Sequence, residues 1–161
     1  MRLVVVGNSG SGKSTLAKRL GVPHLDLDTL AWLPTEPPQR RPIAESAAAI
    51  DAFVATRDAW VVEGCYADLA ELVLPRCTQL VWLEPGVEAC LANARARPWE
   101  PHKYASRDAQ DANLAMLEAW IRDYATRDDA CSLAGHRALF ERFAGSKQKL
   151  ASRDAIAAFV P

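Results

Sequence analysis

The stretch Met1–Thr15, MRLVVVGNSGSGKST, decides the fold that the rest of the chain can adopt. Residues 3–6 are a short apolar run, which is typical of a buried strand. Residues 7–14 match the pattern G-x-x-x-x-G-K-[ST] without a mismatch, and apolar residues at positions 16, 17 and 20 begin a helical stripe. The sequence therefore predicts a strand, a glycine-rich phosphate-binding loop (P-loop) and a helix, in that order.

The P-loop residues have the chemistry that phosphate binding needs. Glycines let the backbone approach a phosphate closely, and successive N–H groups and the positive end of the following helix face the anion. Lys13 would reach the terminal phosphates of ATP, and the Ser14 hydroxyl would ligate Mg²⁺. The alternative is a glycine-rich turn that only joins a strand to a helix. The predicted nucleotide-binding residues are Gly7, Asn8, Ser9, Gly10, Ser11, Gly12, Lys13, Ser14 and Thr15.

Length and composition exclude several classes of protein. The chain has 161 residues, which predicts one domain, and half of them are hydrophobic. A net charge of −1 leaves no electrostatic footprint for nucleic acid, so we do not expect nucleic acid as a partner. We also expect no membrane span and no signal peptide. Four scattered cysteines without a C-x-x-C pair favour reduced thiols in a cytoplasmic protein.

Predicted strands and helices alternate along the whole chain. After the first strand, the sequence predicts strands at 22–27, 60–62, 79–83 and 148–151, with helices between them. This alternation is typical of an α/β fold with a parallel sheet, in which ligands bind beyond the carboxyl ends of the strands. The residues that follow each strand are therefore the candidates for function.

Carboxylates follow two of these strands. Asp26 and Asp28 follow the second strand, and Glu63 and Gly64 follow the third. Near a nucleotide, Asp28 would orient or deprotonate an attacking hydroxyl, and Glu63 would hold a water of the Mg²⁺ ion. Gly64 would let a substrate approach closely. A helix cap at Asp28 and a solvated strand end at Glu63 are the alternatives.

Two irregular segments complete the predicted site. A proline-rich loop at about 31–42 contains Trp32, which could wall a substrate pocket, and Arg40 and Arg41, which could bind an anion. A second segment at about 95–107, called the lid here, carries Arg95, Arg97 and Arg107 as candidate phosphate ligands. Dipole-complementing arginines at a helix end are the alternative. His102 and Lys103, within the lid, could contact phosphate, but simple exposure is the expected state. The predicted substrate residues are Asp28, Trp32, Gly64 and Tyr66, and the predicted catalytic residues are Lys13, Asp28 and Arg97.

These motifs resemble those of the adenylate-kinase-like group of P-loop proteins, which includes nucleoside monophosphate, shikimate and gluconate kinases. The stretches GNSGSGKSTLAKRL, HLDLDTLAW and WVVEGCY look more closely like the small DNA topology modulation proteins. The resemblance implies a three-layer fold, a five-stranded parallel sheet of order 2-3-1-4-5, Mg²⁺-ATP binding and a mobile helical lid.

The sequence departs from the nucleotide kinases at two positions. Those enzymes usually have an arginine shortly after the aspartate of strand two, where this chain has Ala31. They usually have a second arginine after the Asp-Gly step of strand three, where this chain has Ala67. An acceptor other than a nucleoside monophosphate is therefore expected.

Two functions remain open from the sequence. The first is a Mg²⁺-ATP-dependent kinase acting on an unidentified small molecule. The second is a regulatory ATPase or nucleotide-dependent switch without a small-molecule acceptor. Neither the N-K-x-D and D-x-x-G motifs of GTPases nor the L-S-G-G-Q signature of transporter ATPases occurs in the chain.

Overall fold

A computed structural model describes residues 1–101 and 103–161 of the chain. The strands are β1 (Arg2–Gly7), β2 (His24–Asp26), β3 (Trp32–Leu33), β4 (Gln39–Arg40), β5 (Trp60–Gly64), β6 (Gln79–Leu83) and β7 (Ser146–Leu150). The α-helices are α1 (Lys13–Arg19), α2 (Asp28–Ala31), α3 (Ile43–Ala55), α4 (Ala67–Glu71), α5 (Val87–Arg95), α6 (Arg107–Ala112), α7 (Leu114–Arg122), α8 (Leu133–Arg142) and α9 (Arg153–Ala158). No helix in the part of the chain so described is long and apolar enough to cross a membrane.

Five strands form one parallel sheet in the order β2-β5-β1-β6-β7. Counting only the strands of this sheet along the chain, the order is 2-3-1-4-5, so the predicted topology is confirmed. β1 lies at the centre, with Val5 opposite Glu63 on β5, and Glu63 in turn opposite Asp26 on β2. The P-loop and the acidic strand ends therefore share one edge of the sheet, as parallel strands require.

Helices cover both faces of the sheet and give the fold three layers. Strand residues alternate between the faces, because successive side chains of a strand point to opposite sides. On one face, Val4, Val6 and Trp82 pack in a core with residues of α3, α4 and α8. On the other face, Leu3, Val5 and Val81 pack against α1 and α9. α5 and α7 share a third, smaller core outside the sheet.

Three segments differ in detail from the predictions. The segment at 31–42, predicted to be a loop throughout, contains the antiparallel pair β3–β4, where the Arg40 guanidinium lies over the Trp32 ring at 5.5 Å. Between β5 and β6, where the sequence predicts a helix, α4 ends at Glu71 and a 3₁₀ turn (Leu74–Arg76) follows around Pro75. α6 was not predicted, although Ser106 caps it by accepting a hydrogen bond from the Ala109 N–H at 3.1 Å. A serine before a helical segment is a cap signal that local analysis can detect.

Candidate active site

The P-loop spans the turn between β1 and α1 and is shaped by close backbone contacts. Gly10 has a φ of 76°, a conformation that glycine adopts without strain. A Cβ atom at Gly10 would lie only 2.3 Å from the carbonyl oxygen of Cys90 on α5. Glycine is therefore needed here for its conformation and also for the close approach of α5.

Hydrogen bonds from two helices hold the P-loop in place. The Asn93 amide on α5 donates to the Gly10 carbonyl at 2.8 Å, and the Asn8 amide donates to the Ile121 carbonyl on α7 at 3.0 Å. The Lys13 ammonium donates to the Asn8 carbonyl at 2.9 Å and is largely buried. The loop is thus preorganised by contacts with its own lysine and with α5 and α7.

The geometry of this loop fits a nucleotide phosphate. The Ser11 hydroxyl is buried and has no hydrogen-bond partner among the residues that the structure describes. The first turn of α1 presents N–H groups that have no acceptor within the helix, and the Lys13 ammonium lies beside them. Unpaired donors around a buried cation are the arrangement that an anionic phosphate stabilises. ATP would supply the phosphoryl group when bound.

A magnesium ion fits the same edge of the sheet. Burial raises the pKa of the Asp26 carboxyl, as does repulsion from Glu63 and Asp28, and a divalent cation would relieve this repulsion. Within the two described ranges, no three acidic, thiol or imidazole side chains are grouped so as to hold a metal by themselves. Mg²⁺ usually keeps several waters and shares phosphate oxygens, so Ser14 and a water-mediated carboxylate would suffice.

Asp28 lies at the start of α2, facing the lid. Its carboxylate accepts a hydrogen bond from the Lys103 ammonium at 3.0 Å, and the same ammonium lies 3.5 Å from Asp26. Burial alone would raise the pKa of Asp28, but the charge and hydrogen bond of Lys103, the charge of Lys13 and a hydrogen bond with Tyr66 hold it below its usual value. Asp28 is therefore ionised at neutral pH and lies within the electrostatic field of the P-loop lysine.

The predicted substrate residues Trp32 and Tyr66 lie together beside Asp28. The Trp32 indole N–H donates to the Tyr66 hydroxyl at 2.8 Å, and the Trp32 side chain is exposed. Arg40 lies 4.9 Å from the centre of the Tyr66 ring and forms an ion pair with Asp68 at 2.8 Å. The exposed Trp32 and Arg40 side chains make an aromatic and cationic wall that is open to solvent, whereas Tyr66 is buried.

The two alanines that replace the acceptor-binding arginines of nucleotide kinases are both buried. Ala31 is 1% exposed and Ala67 is 7% exposed. The Arg40 guanidinium reaches the Trp32 and Tyr66 rings in this part of the site, and it comes from β4, a short strand in the segment predicted as a loop.

Gly64 and Glu63 are placed differently from one another. A Cβ atom at Gly64 would lie 2.8 Å from the Cβ of Leu27, so close packing of Leu27 already explains why glycine occurs here. Glu63 is 1% exposed, and its carboxylate lies 3.2 Å from the Nε2 atom of His24. Glu63 is therefore a buried residue near the end of β5, paired with His24, and is not a solvated strand end.

The three lid arginines each pair with an acidic residue. Arg95 forms two hydrogen bonds with Glu118 at 2.8 and 3.0 Å, Arg97 lies 3.3 Å from Glu100, and Arg107 lies 3.1 Å from Asp111. The structure brings Lys13, Asp28, Trp32 and Tyr66 into one site, whereas these arginines are engaged with acids of the lid, α6 and α7.

Sequence analysis missed one side chain of the site. Lys103 was expected to be exposed, but its side chain is only 23% exposed and contacts Asp26 and Asp28. No local signal could have identified it, because its partner Asp28 lies 75 positions away in the sequence. His102, the other lid residue considered, lies outside the described residues.

Comparison with solved structures supports this description of the fold. A gluconokinase from Sinorhizobium meliloti 1021 aligns with a TM-score of 0.53 and 19% identity, covering 97% of this chain and 85% of that one. Shikimate kinase from Acinetobacter baumannii in complex with shikimate aligns with a TM-score of 0.52 and 18% identity, covering 98% and 88%. No protein-family profile matches the chain, and no curated protein matches it in sequence. At these identities the comparison shows the fold, which is that of the P-loop kinases.

Proposed function

We propose that this chain is a kinase that transfers the terminal phosphoryl group of Mg²⁺-ATP to a hydroxyl group of a small molecule in the cytoplasm. The observation that carries the proposal is the position of Asp28, ionised and within the field of Lys13, beside an open aromatic wall. The fold likeness to a gluconokinase and a shikimate kinase supports the same class of reaction. The resemblance to the DNA topology modulation proteins is compatible with it.

The residues divide into two groups on either side of the transferring phosphoryl group. The P-loop would bind the nucleotide, Lys13 would stabilise the terminal phosphate, and Ser14 and Glu63 would hold Mg²⁺. On the other side, Asp28, Trp32, Gly64 and Tyr66 would bind the acceptor. Arg97 would leave Glu100 for the terminal phosphate when nucleotide binds, with Arg95 and Arg107 supporting the lid.

The reaction joins the acceptor oxygen to the terminal phosphorus as the bond from that phosphorus to the bridging oxygen of ADP breaks. The proton of the hydroxyl passes to the Asp28 carboxylate, and ADP leaves. A strong base is not needed, because phosphoryl transfer has a loose transition state that depends on positioning and charge. A carboxylate with a lowered pKa can therefore serve, since its main task is to orient the hydroxyl.

The test is a panel of sugars, hydroxy acids, nucleosides and nucleotides incubated with ATP and Mg²⁺, with both ADP and the phosphorylated product measured by mass spectrometry. We expect one class of acceptor to accelerate ADP release. Asp28→Asn should lower transfer by about a hundredfold while ATP still binds. Asp58→Asn, at an exposed position in another loop, is the matched control and should keep full activity.

ADP release that no acceptor changes would contradict the kinase proposal and favour the regulatory ATPase. Full transfer activity in Asp28→Asn would remove Asp28 from the mechanism and leave the P-loop assignment intact.

A further inference from the structure

We propose that Lys103 is a positioning residue that fastens the lid to Asp28 and fixes the orientation of that carboxylate for the acceptor. This inference rests on the proposed kinase function and deepens it. Its geometric basis is the contact of one lid ammonium with both carboxylates of the D-x-D pair, at 3.0 Å to Asp28 and 3.5 Å to Asp26.

Lys103 differs from every lid arginine in the direction that it faces. Each lid arginine is paired with an acid of the lid, of α6 or of α7. Lys103 instead extends to Asp26 and Asp28 at the end of β2, and its backbone N–H donates to the Glu100 carbonyl at 2.9 Å. Among the cations at 95–101 and 103–107, it alone connects the lid to the predicted acceptor site.

The contact leaves Asp28 able to act. The Asp28 side chain remains 42% exposed, and a carboxylate has about four lone-pair positions. Lys103 and Tyr66 therefore leave room for an acceptor hydroxyl. Burial would lower the pKa of the Lys103 ammonium, but the two aspartates raise it above its usual range, so the pair stays charged at neutral pH.

The contact between Lys103 and Asp28 would also couple the position of the lid to the orientation of the Asp28 carboxylate. An ammonium is a flexible point charge with three donors, so it can hold Asp28 in one rotamer without a fixed fork geometry. Because Lys103 is part of the lid, Asp28 would be oriented only when the lid lies over the pocket. Water would then be excluded at the moment when the acceptor is aligned.

The proposal predicts that substitutions at Lys103 and at Asp28 alter the order of the lid in a coupled way. This effect can be measured without a substrate. The Tyr104 N–H donates to the Glu100 carbonyl at 3.0 Å, so its amide exchange, measured by NMR, reports on lid order. Lys103→Met should accelerate this exchange about threefold to tenfold. Asp28→Ala should do the same, and the double variant should exchange no faster than either single variant.

The same variants predict a kinetic signature. Lys103→Met should lower kcat about tenfold while the KM for ATP changes less than about twofold. Lys103→Arg should keep most of the wild-type kcat, because a cation of similar reach is present. Arg76→Met breaks an exposed ion pair with Asp51, away from the lid, and should leave both the exchange and the kinetics unchanged.

Additive effects of Lys103→Met and Asp28→Ala on Tyr104 exchange would overturn the proposal, as would wild-type exchange or wild-type kcat in Lys103→Met. If the wild-type protein phosphorylates no acceptor, the kinase function fails, but the exchange measurements still decide whether Lys103 fastens the lid.

Discussion

Lys13 has an acceptor from its own loop, the Asn8 carbonyl at 2.9 Å, so its ammonium is held beside the P-loop before any nucleotide arrives. Its partner is a backbone oxygen and not a carboxylate, so no counter-charge has to be displaced by phosphate. At the residue scale, the affinity for nucleotide should therefore depend strongly on this one side chain.

Lys13→Ala should weaken the binding of Mg²⁺-ATP about tenfold to a hundredfold, because a charged hydrogen bond to phosphate is lost. Isothermal titration calorimetry measures the effect directly. Lys18→Ala, which removes an exposed lysine from the same helix, is the control and should bind normally. Unchanged affinity in Lys13→Ala would contradict the assignment of the P-loop.

At the scale of elements, the P-loop depends on how closely α5 packs against it. The Cys90 carbonyl occupies the space that a Cβ atom at Gly10 would need, and Asn93 on the same helix donates to the Gly10 carbonyl. Arg153 supports Asn93 from α9 by donating to its Oδ1 atom at 2.9 Å. The rigidity of the P-loop therefore depends on how well α5 packs against it and on the support that α9 gives to Asn93.

Gly10→Ala should abolish nucleotide binding and lower the free energy of unfolding, because the new Cβ would overlap a backbone oxygen of α5. Gly21→Ala is a matched control, since Gly21 also has a positive φ, 66°, but nothing lies within 4 Å of the added Cβ. It should cost only about 1–2 kcal/mol for its conformation and keep nucleotide binding. Urea unfolding measures the stability of both variants, and calorimetry measures their nucleotide binding. Equal losses of stability in Gly10→Ala and Gly21→Ala would contradict an overlap between the added Cβ at Gly10 and the Cys90 carbonyl.

At the scale of the whole molecule, a buried hydrogen-bond chain joins elements that are far apart in sequence. Trp82 on β6 donates to the Tyr124 hydroxyl at 3.2 Å, and that hydroxyl lies 2.6 Å from the Nδ1 atom of His136 on α8. The Nε2 atom of His136 donates to the Cys65 carbonyl at 2.8 Å, because a carbonyl only accepts. Burial lowers the pKa of His136, so the ring is neutral at pH 7 and its Nδ1 atom accepts from the Tyr124 hydroxyl.

Stability should fall at mildly acidic pH because of this histidine. Burial lowers the pKa of His136 to about 4, from 6.5 when unperturbed. Between these values the unfolded chain binds the proton and the folded chain does not, so the free energy of unfolding falls as the pH drops. The expected loss from His136 is about 2 kcal/mol between pH 6.5 and 5.

Urea unfolding across this pH range measures the loss, with His136→Gln as the comparison because it carries no titrating ring. The variant should be less stable than the wild type at pH 7 and should show a flatter dependence on pH. An equal slope in both proteins would contradict a neutral, buried His136.

Local signals predicted the strand, turn and helix of the P-loop segment, whereas the roles assigned to its residues and to the carboxylates stay predictions. The glycine pattern, the strand before it and the helix after it lie within twenty residues, and Asp28 follows its strand directly. The α/β class also followed from alternating periodicities. α6 and the β3–β4 pair were missed because short elements with exposed faces have little periodicity of their own.

The sequence by itself determined the strand, glycine-rich turn and helix at 2–19 and the residues at the strand ends, because these features depend on neighbouring residues. Only the tertiary structure decided which cations meet Asp28 and Tyr66. Lys103 reaches Asp28 across 75 positions of the chain, and Arg40 from β4 reaches the Tyr66 ring. Contacts between distant residues depend on how helices and loops pack around the sheet, and no local pattern encodes that packing.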